Sequence, residues 1–156
     1  MPDERLYETD FYTWTQQQAE RLRSLRGRNH LDTQHLADEV ADLGKRELRE
    51  LRAHLRQLLV HLCKLAGSPA DAPRAHWIVE AREHQDQARD AYSPGLRQHV
   101  DLDALWATAL TNANTLMAEH GEAGLPRDLA CPFALDDLLA ADFSVEAAER
   151  TVREKL

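Results

Sequence analysis

Two histidine-bearing stretches hold the side chains best suited to chemistry. In the first, Leu43–Leu65, the residues Glu47, Glu50, His54 and His61 fall within about 60° of one another when projected onto a helix at about 100° per residue. In the second, His76, Glu80 and His84 recur at four-residue steps and share one helix face. A carboxylate beside an imidazole fixes its tautomer and raises its basicity, as a general base or a metal-bound histidine requires. Two such faces meeting between helices are where bundles build metal sites. Glu47, Glu50, His54, His61, Glu80 and His84 are therefore the candidate ligands of a divalent metal, or the candidate acid–base groups. The opposing reading is that glutamates and histidines at a helix edge are solvated or tied into surface pairs. It is the stronger one, because the sequence has no HExxH, Glu-x-x-His, His-x-x-x-His or paired-cysteine motif. No cofactor is expected on this ground, with a divalent metal as the alternative.

A second set is basic. Lys45, Arg49, Arg52 and Arg56 form a narrow stripe on the same stretch, and Arg21, Arg23, Arg26 and Arg28 gather upstream. Together they offer a cationic surface, but the net charge is −8, and a nucleic-acid face should be basic overall. Nucleic acid is therefore disfavoured as a partner. An acidic protein surface suits the stripe better, and the second half of a twin chain would supply one. Residues 67–156 carry sixteen acidic against eight basic side chains. Cys63 lies in an apolar run and behaves as a small hydrophobe; Cys131 reads as structural for want of a cationic activator beyond Arg127. Trp14, Trp77, Trp106, Phe11, Tyr12 and Phe133 read as core before they read as a ligand pocket. No nucleophilic triad and no glycine-rich phosphate loop has a candidate.

The elements that must position these residues are helices. β-Branched residues are scarce, no segment alternates with period two, and Gly and Pro cluster between periodic segments. Asp10 caps a first helix along Phe11, Trp14, Gln18, Leu22 and Leu25, with Gly27 and Asn29 at its exit. Asp32 opens a helix of about thirty residues that stops near Gly67. Its apolar positions form two stripes, Leu36–Val40–Leu43 and then Leu48 to Leu65, rotated by roughly 60–80° around Gly44. This predicts a bend, or a change of packing partner, at that glycine. Gly67–Ala75 is a linker, and Pro73 begins a helix to about Tyr92. A short turn follows around Leu96–Val100, and a strong amphipathic helix runs from Asp101 or Asp103 to near Gly121. A short helix covers Ala134–Phe143. Ser144 caps a last one in which Val145, Val152 and Leu156 offer little to bury.

The order of these segments resembles a bacterial family known as domain of unknown function twenty-nine. The strings that carry the likeness are YETDFYTWTQQQA, HLADEVADLGKRELREL, LLVHLCK, SPGLR and CPFALDDLLAADF, and they span roughly Leu6 to Phe143. The resemblance implies a small all-helical bacterial protein and no particular activity.

These readings converge on an all-α, compact helical bundle with one long helix and a short C-terminal helix. Residues 1–143 are expected to form a single domain and 144–156 a tail. The acidic N-terminus has no apolar signal segment, and QLLVHLCKLAG is interrupted by His61 and Lys64 and is too short for a bilayer. No membrane association is expected, and a cytoplasmic address is the default. The leading functional expectation is a non-enzymatic interaction module that pairs with itself or another protein. The alternative is a metal-dependent or acid–base enzyme at the Glu/His faces; the lesser alternative is nucleic-acid binding through the basic face.

Overall fold

The computed structural model describes residues 4–25, 27, 30–69 and 72–156. Arg26, Arg28 and Asn29, read above as part of a basic group and a helix exit, lie outside the described residues, as do Ala70 and Asp71 of the linker. Helix is the regular secondary structure of the described residues, with no strand among them. Its elements are α1 (Glu4–Thr9), α2 (Phe11–Ser24), α3 (Thr33–Gly67), α4 (Arg74–Ala91), a 3-10 segment (Pro94–His99), α5 (Leu102–Glu119), α6 (Leu135–Leu139) and α7 (Val145–Arg153). No helix among the described residues is long and apolar enough to cross a membrane. The expected caps are in place. Asp10 accepts from Thr13 N, Asp32 from His35 N, Asp101 from Ala104 N and Ser144 from Ala147 N. Helix α1 had no counterpart in the sequence reading, since six residues are too few for a period to register.

The chain divides into two compact units. The first comprises residues 1–51 and 91–100: α1, α2, the first half of α3 and the 3-10 segment. Here the expected apolar stripe is corrected. Leu36 and Leu43 are exposed, and Val40 is half-buried; the buried positions are Thr33, Ala37, Ala41 and Gly44. The buried line then continues at three- and four-residue steps through half-buried Leu48 to buried Leu51, with no rotation at Gly44. The physical reason is close approach by α2. A methyl group on Gly44 would fall onto the Thr15 hydroxyl and within 2.9 Å of Gln16 Nε2 and 3.1 Å of Tyr12 Cδ2. Gln16 Nε2 also donates to Ala41 O at 3.4 Å. Ala19 packs with Ala37 and Ala41, flanked by Leu22 and Val40. Small residues face inward because the neighbouring helix leaves no room for large ones, and α3 stays unbroken from Thr33 to Gly67.

The second unit comprises residues 52–90 and 101–156. Leu55, Leu58, Leu62 and Leu65 of α3 are fully buried, together with Ala81 and Ala88 of α4 and Ala109 and Ala113 of α5. Trp106 is buried and donates through Nε1 to Leu129 O at 2.6 Å. Gln85 is a buried amide that the sequence reading missed. Its Nε2 donates to Leu138 O and Ala140 O, both at 3.0 Å, and so ties α6 to α4. The C-terminal helix buries more than its few apolar residues suggested. Val145 and Val152 are fully buried, and Glu149 is 6% exposed between Arg74 and Arg153. Both arginines also donate to Leu65 O, at 2.8 and 3.3 Å, satisfying a carbonyl in the last turn of α3.

Candidate functional site

The two histidine-bearing faces meet inside the second unit. α3 and α4 run antiparallel there, so pairs close in reverse order: His54 with His84, His61 with His84 and Glu80, Lys64 with Trp77. The seven-residue step from His54 to His61 returns to nearly the same helix face, and Lys64 lies one turn on. On α4 the four-residue steps of His76, Glu80 and His84 do the same. The row lies beside the fully buried leucines of α3; His61 is buried, and His54, Glu80 and His84 are half-buried.

Its geometry is specific. His54 Nδ1 and His84 Nδ1 are 3.1 Å apart with ring centroids at 5.4 Å. A hydrogen bond between two Nδ1 atoms requires one to donate and the other to accept, so the rings share one proton and hold different tautomers. His61 stacks on His84 at 5.7 Å with an interplanar angle of 20°. Its Nε2 is 3.3 Å from one oxygen of Glu80, whose other oxygen is 3.2 Å from Nε2 of His76. A neutral His61 donates Nε2–H to Glu80 and keeps a lone pair on Nδ1. That atom is buried and has no partner.

Electrostatics follow from this packing. Burial pushes the His61 imidazole down to about 4; Lys64, His84 and His76 push the same way, and Glu80 opposes them. Burial and then His54 lower His84, against Glu80 and Glu83. Burial also lowers Lys64, against Glu80 and Glu122. His61 and His84 are therefore neutral at physiological pH.

The structure thus brings His54, His61, Glu80 and His84 together and adds His76, which the four-residue spacing had signalled. Glu47 and Glu50 belong to the first unit. There Glu47 is half-buried, and burial followed by Glu50 raises its carboxyl above the usual range, with Arg46 opposing; Glu50 is exposed. Among the described residues, no group of three His, Cys, Asp or Glu side chains is placed to hold a metal ion. What the arrangement offers chemically is proton exchange along paired imidazoles and, toward a cation, two nitrogens and no third donor. Of the basic face, Lys45, Arg49 and Arg52 are exposed and Arg56 is half-buried; Lys45 lies 3.9 Å from Asp42. Cys63 and Cys131 are both free thiols. Burial pushes Cys63 up to about 12 and also raises Cys131, so both suit a structural role.

The profile of the family described as domain of unknown function DUF29 matches residues 6–144. The chain belongs to that family. It is also similar to a solved structure, an alpha-helical protein of unknown function from Rhodospirillum rubrum. That protein is 32% identical, with a TM-score of 0.84 over 92% of this chain and 95% of the other. No curated protein matches the DUF29 chain. The likeness reaches from Leu6 to Ser144, so it spans the histidine seam and stops at the cap of α7.

Proposed function

We propose that this DUF29 protein is a non-enzymatic self-associating module, and that the first half of α3 is its contact. The observation that carries the reading is a row of large apolar side chains left in solvent. Leu31, Leu36 and Leu43 are 56, 42 and 40% exposed. Leu36 and Leu43 stand seven residues apart, the spacing that keeps two positions on one seam between paired helices. The charge order along the helix argues for a second copy as the partner. Exposed Asp32, Asp38, Glu39 and Asp42 precede exposed Lys45, Arg46 and Arg49. A two-fold antiparallel pairing sets the acidic stretch of one copy against the basic stretch of the other, self-complementary as an isologous interface must be.

Light scattering after size exclusion tests this. The wild-type chain is expected to elute as a dimer and Leu36→Glu/Leu43→Glu as a monomer of unchanged helicity, since both side chains are exposed. A wild-type monomer at about 0.5 mM, a concentration at which even weak pairing registers, overturns the reading.

A second reading rests on the 3.1 Å approach of His54 and His84: an acid–base site in which the shared proton is the working one. It leaves no role for metal. Titration of the dialysed protein with Zn²⁺ is expected to give no saturating one-to-one binding. Stoichiometric binding that His84→Ala removes would replace the acid–base form with a metal site.

A further inference from the structure

Beyond the histidine row, the α3–α4 seam opens into a cleft of about 520 Å³ bounded also by the end of α5 and the loop after it. The volume falls in the range of small-molecule sites. Its lining includes the apolar side chains of Trp77, Leu116 and Met117, and Leu116 is 40% exposed. Three groups set the polarity. Lys64 Nζ sits 4.3 Å from the centroid of the Trp77 ring, over a ring face instead of against a carboxylate. His120 Nδ1 lies 3.0 Å from Leu116 O and donates to it, which leaves Nε2 for the cleft side or solvent. Glu122 lines the opposite polarity and is held by Ser68 Oγ, which donates to it at 2.9 Å.

We propose that this cleft binds an amphipathic monocarboxylate, its carboxylate on Lys64 and its apolar body on Trp77, Leu116 and Met117. The half-buried ammonium packs over the Trp77 ring, and among the described residues no carboxylate forms an ion pair with it; Glu80 and Glu122 favour its charge from farther away, against burial. An anion in the cleft supplies a direct partner through a charge-assisted bond. The apolar lining calls for an apolar body, since a free inorganic anion would leave exposed Leu116 and half-buried Trp77 in water. Glu122 sets the charge limit: a second carboxylate on the ligand would meet it as a like charge, so dianions are rejected. This site is independent of the self-association reading, which rests on the other unit.

Isothermal titration of the full chain with decanoate and, separately, with indole-3-propionate tests the proposal. At least one is expected to bind one-to-one, with decyltrimethylammonium and decanedioate about tenfold weaker or worse. Lys64→Gln is expected to weaken binding about tenfold, the worth of a charge-assisted bond. Glu122→Gln is expected to tighten it several-fold and to admit the dicarboxylate, an outcome that a merely structural role for Glu122 would not give. Should Lys64→Gln fail to fold, the Glu122→Gln gain and the ligand-charge series decide alone. Absence of saturable binding of either probe up to about 1 mM overturns the proposal, as does equal binding of decanoate and decyltrimethylammonium.

Discussion

Replacing His61 by leucine should flatten the acid limb of the stability curve. The folded protein holds His61 at about 4, whereas the unfolded chain titrates it near 6.5. Between those two values the unfolded state binds the extra proton and the folded state does not, so stability rises with pH across the window. The contribution is complete above pH 6.5 and is lost as pH falls toward 4. At about 1.4 kcal/mol per pH unit, the gap corresponds to about 3 kcal/mol. His61 is 7% exposed, so solvent screening takes little from that figure. The groups acting on it are Lys64 on its own helix and Glu80, His84 and His76 on α4. All four remain in His61→Leu, as does the His54–His84 pair, so the difference between the two proteins isolates the one imidazole. At neutral pH the variant should lie within about 1 kcal/mol of wild type. It gives up the bond to Glu80 but also removes an unpartnered buried nitrogen, and the two effects oppose each other. Urea unfolding followed by circular dichroism from about pH 7.5 to about pH 4 measures both curves. The variant's advantage should grow by about 3 kcal/mol across that range. Parallel curves would refute the reasoning, because they would mean that His61 titrates alike folded and unfolded.

Two further substitutions test the packing on which the sites rest. Gly44→Ala would add about 1 kcal/mol in an isolated helix, but here the methyl meets a Thr15 hydroxyl that is itself buried and bound to Tyr12 O at 2.6 Å. Overpacking costs about 1–3 kcal/mol, so a net loss of about 1 kcal/mol is expected by denaturant melts, and a stabilised variant would contradict the close approach of α2. Glu149→Ala leaves Arg74 and Arg153 without their shared carboxylate. Because Arg153 is half-exposed, the expected loss is toward the low end for a broken buried pair, about 3 kcal/mol, with Glu149→Gln losing less than half as much; a loss under about 1 kcal/mol in the alanine variant would contradict a structural role.

How far the sequence spoke depended on the quantity asked of it. Helix existence followed from period and caps, and Asp10, Asp32, Asp101 and Ser144 all cap where they were expected to. Face alone gave the candidates Glu47, Glu50, His54, His61, Glu80 and His84 and left open whether the two faces meet; His54, His61, Glu80 and His84 do meet, because the two helices run antiparallel with their histidines in register. Depth was not legible. Periodicity gives the angle of a side chain around its helix and says nothing of what covers it. Nothing in the period marks Gln85 as buried, because the two carbonyls it binds belong to another segment. Nothing marks Glu149 either, because one of its two arginines, Arg74, is 75 residues away.

Depth also decides which face of α3 is buried. Hydropathy assigns leucine to the inside, which puts Leu36 and Leu43 on the buried line. The true inner line is Thr33, Ala37, Ala41 and Gly44, because α2 comes too near for anything larger. Once small residues make the intramolecular contact, the leucines are surplus to it. Burying such a side chain is worth roughly 1.5–3 kcal/mol, and leaving several in water forgoes that gain. Leu36 and Leu43 lie on one line, beside charges that change sign along the helix, which is the arrangement a second antiparallel copy of the same helix can cover. The same packing that puts small residues inward leaves Leu36 and Leu43 free to meet a second copy: they face solvent because α2 and α3 close without them.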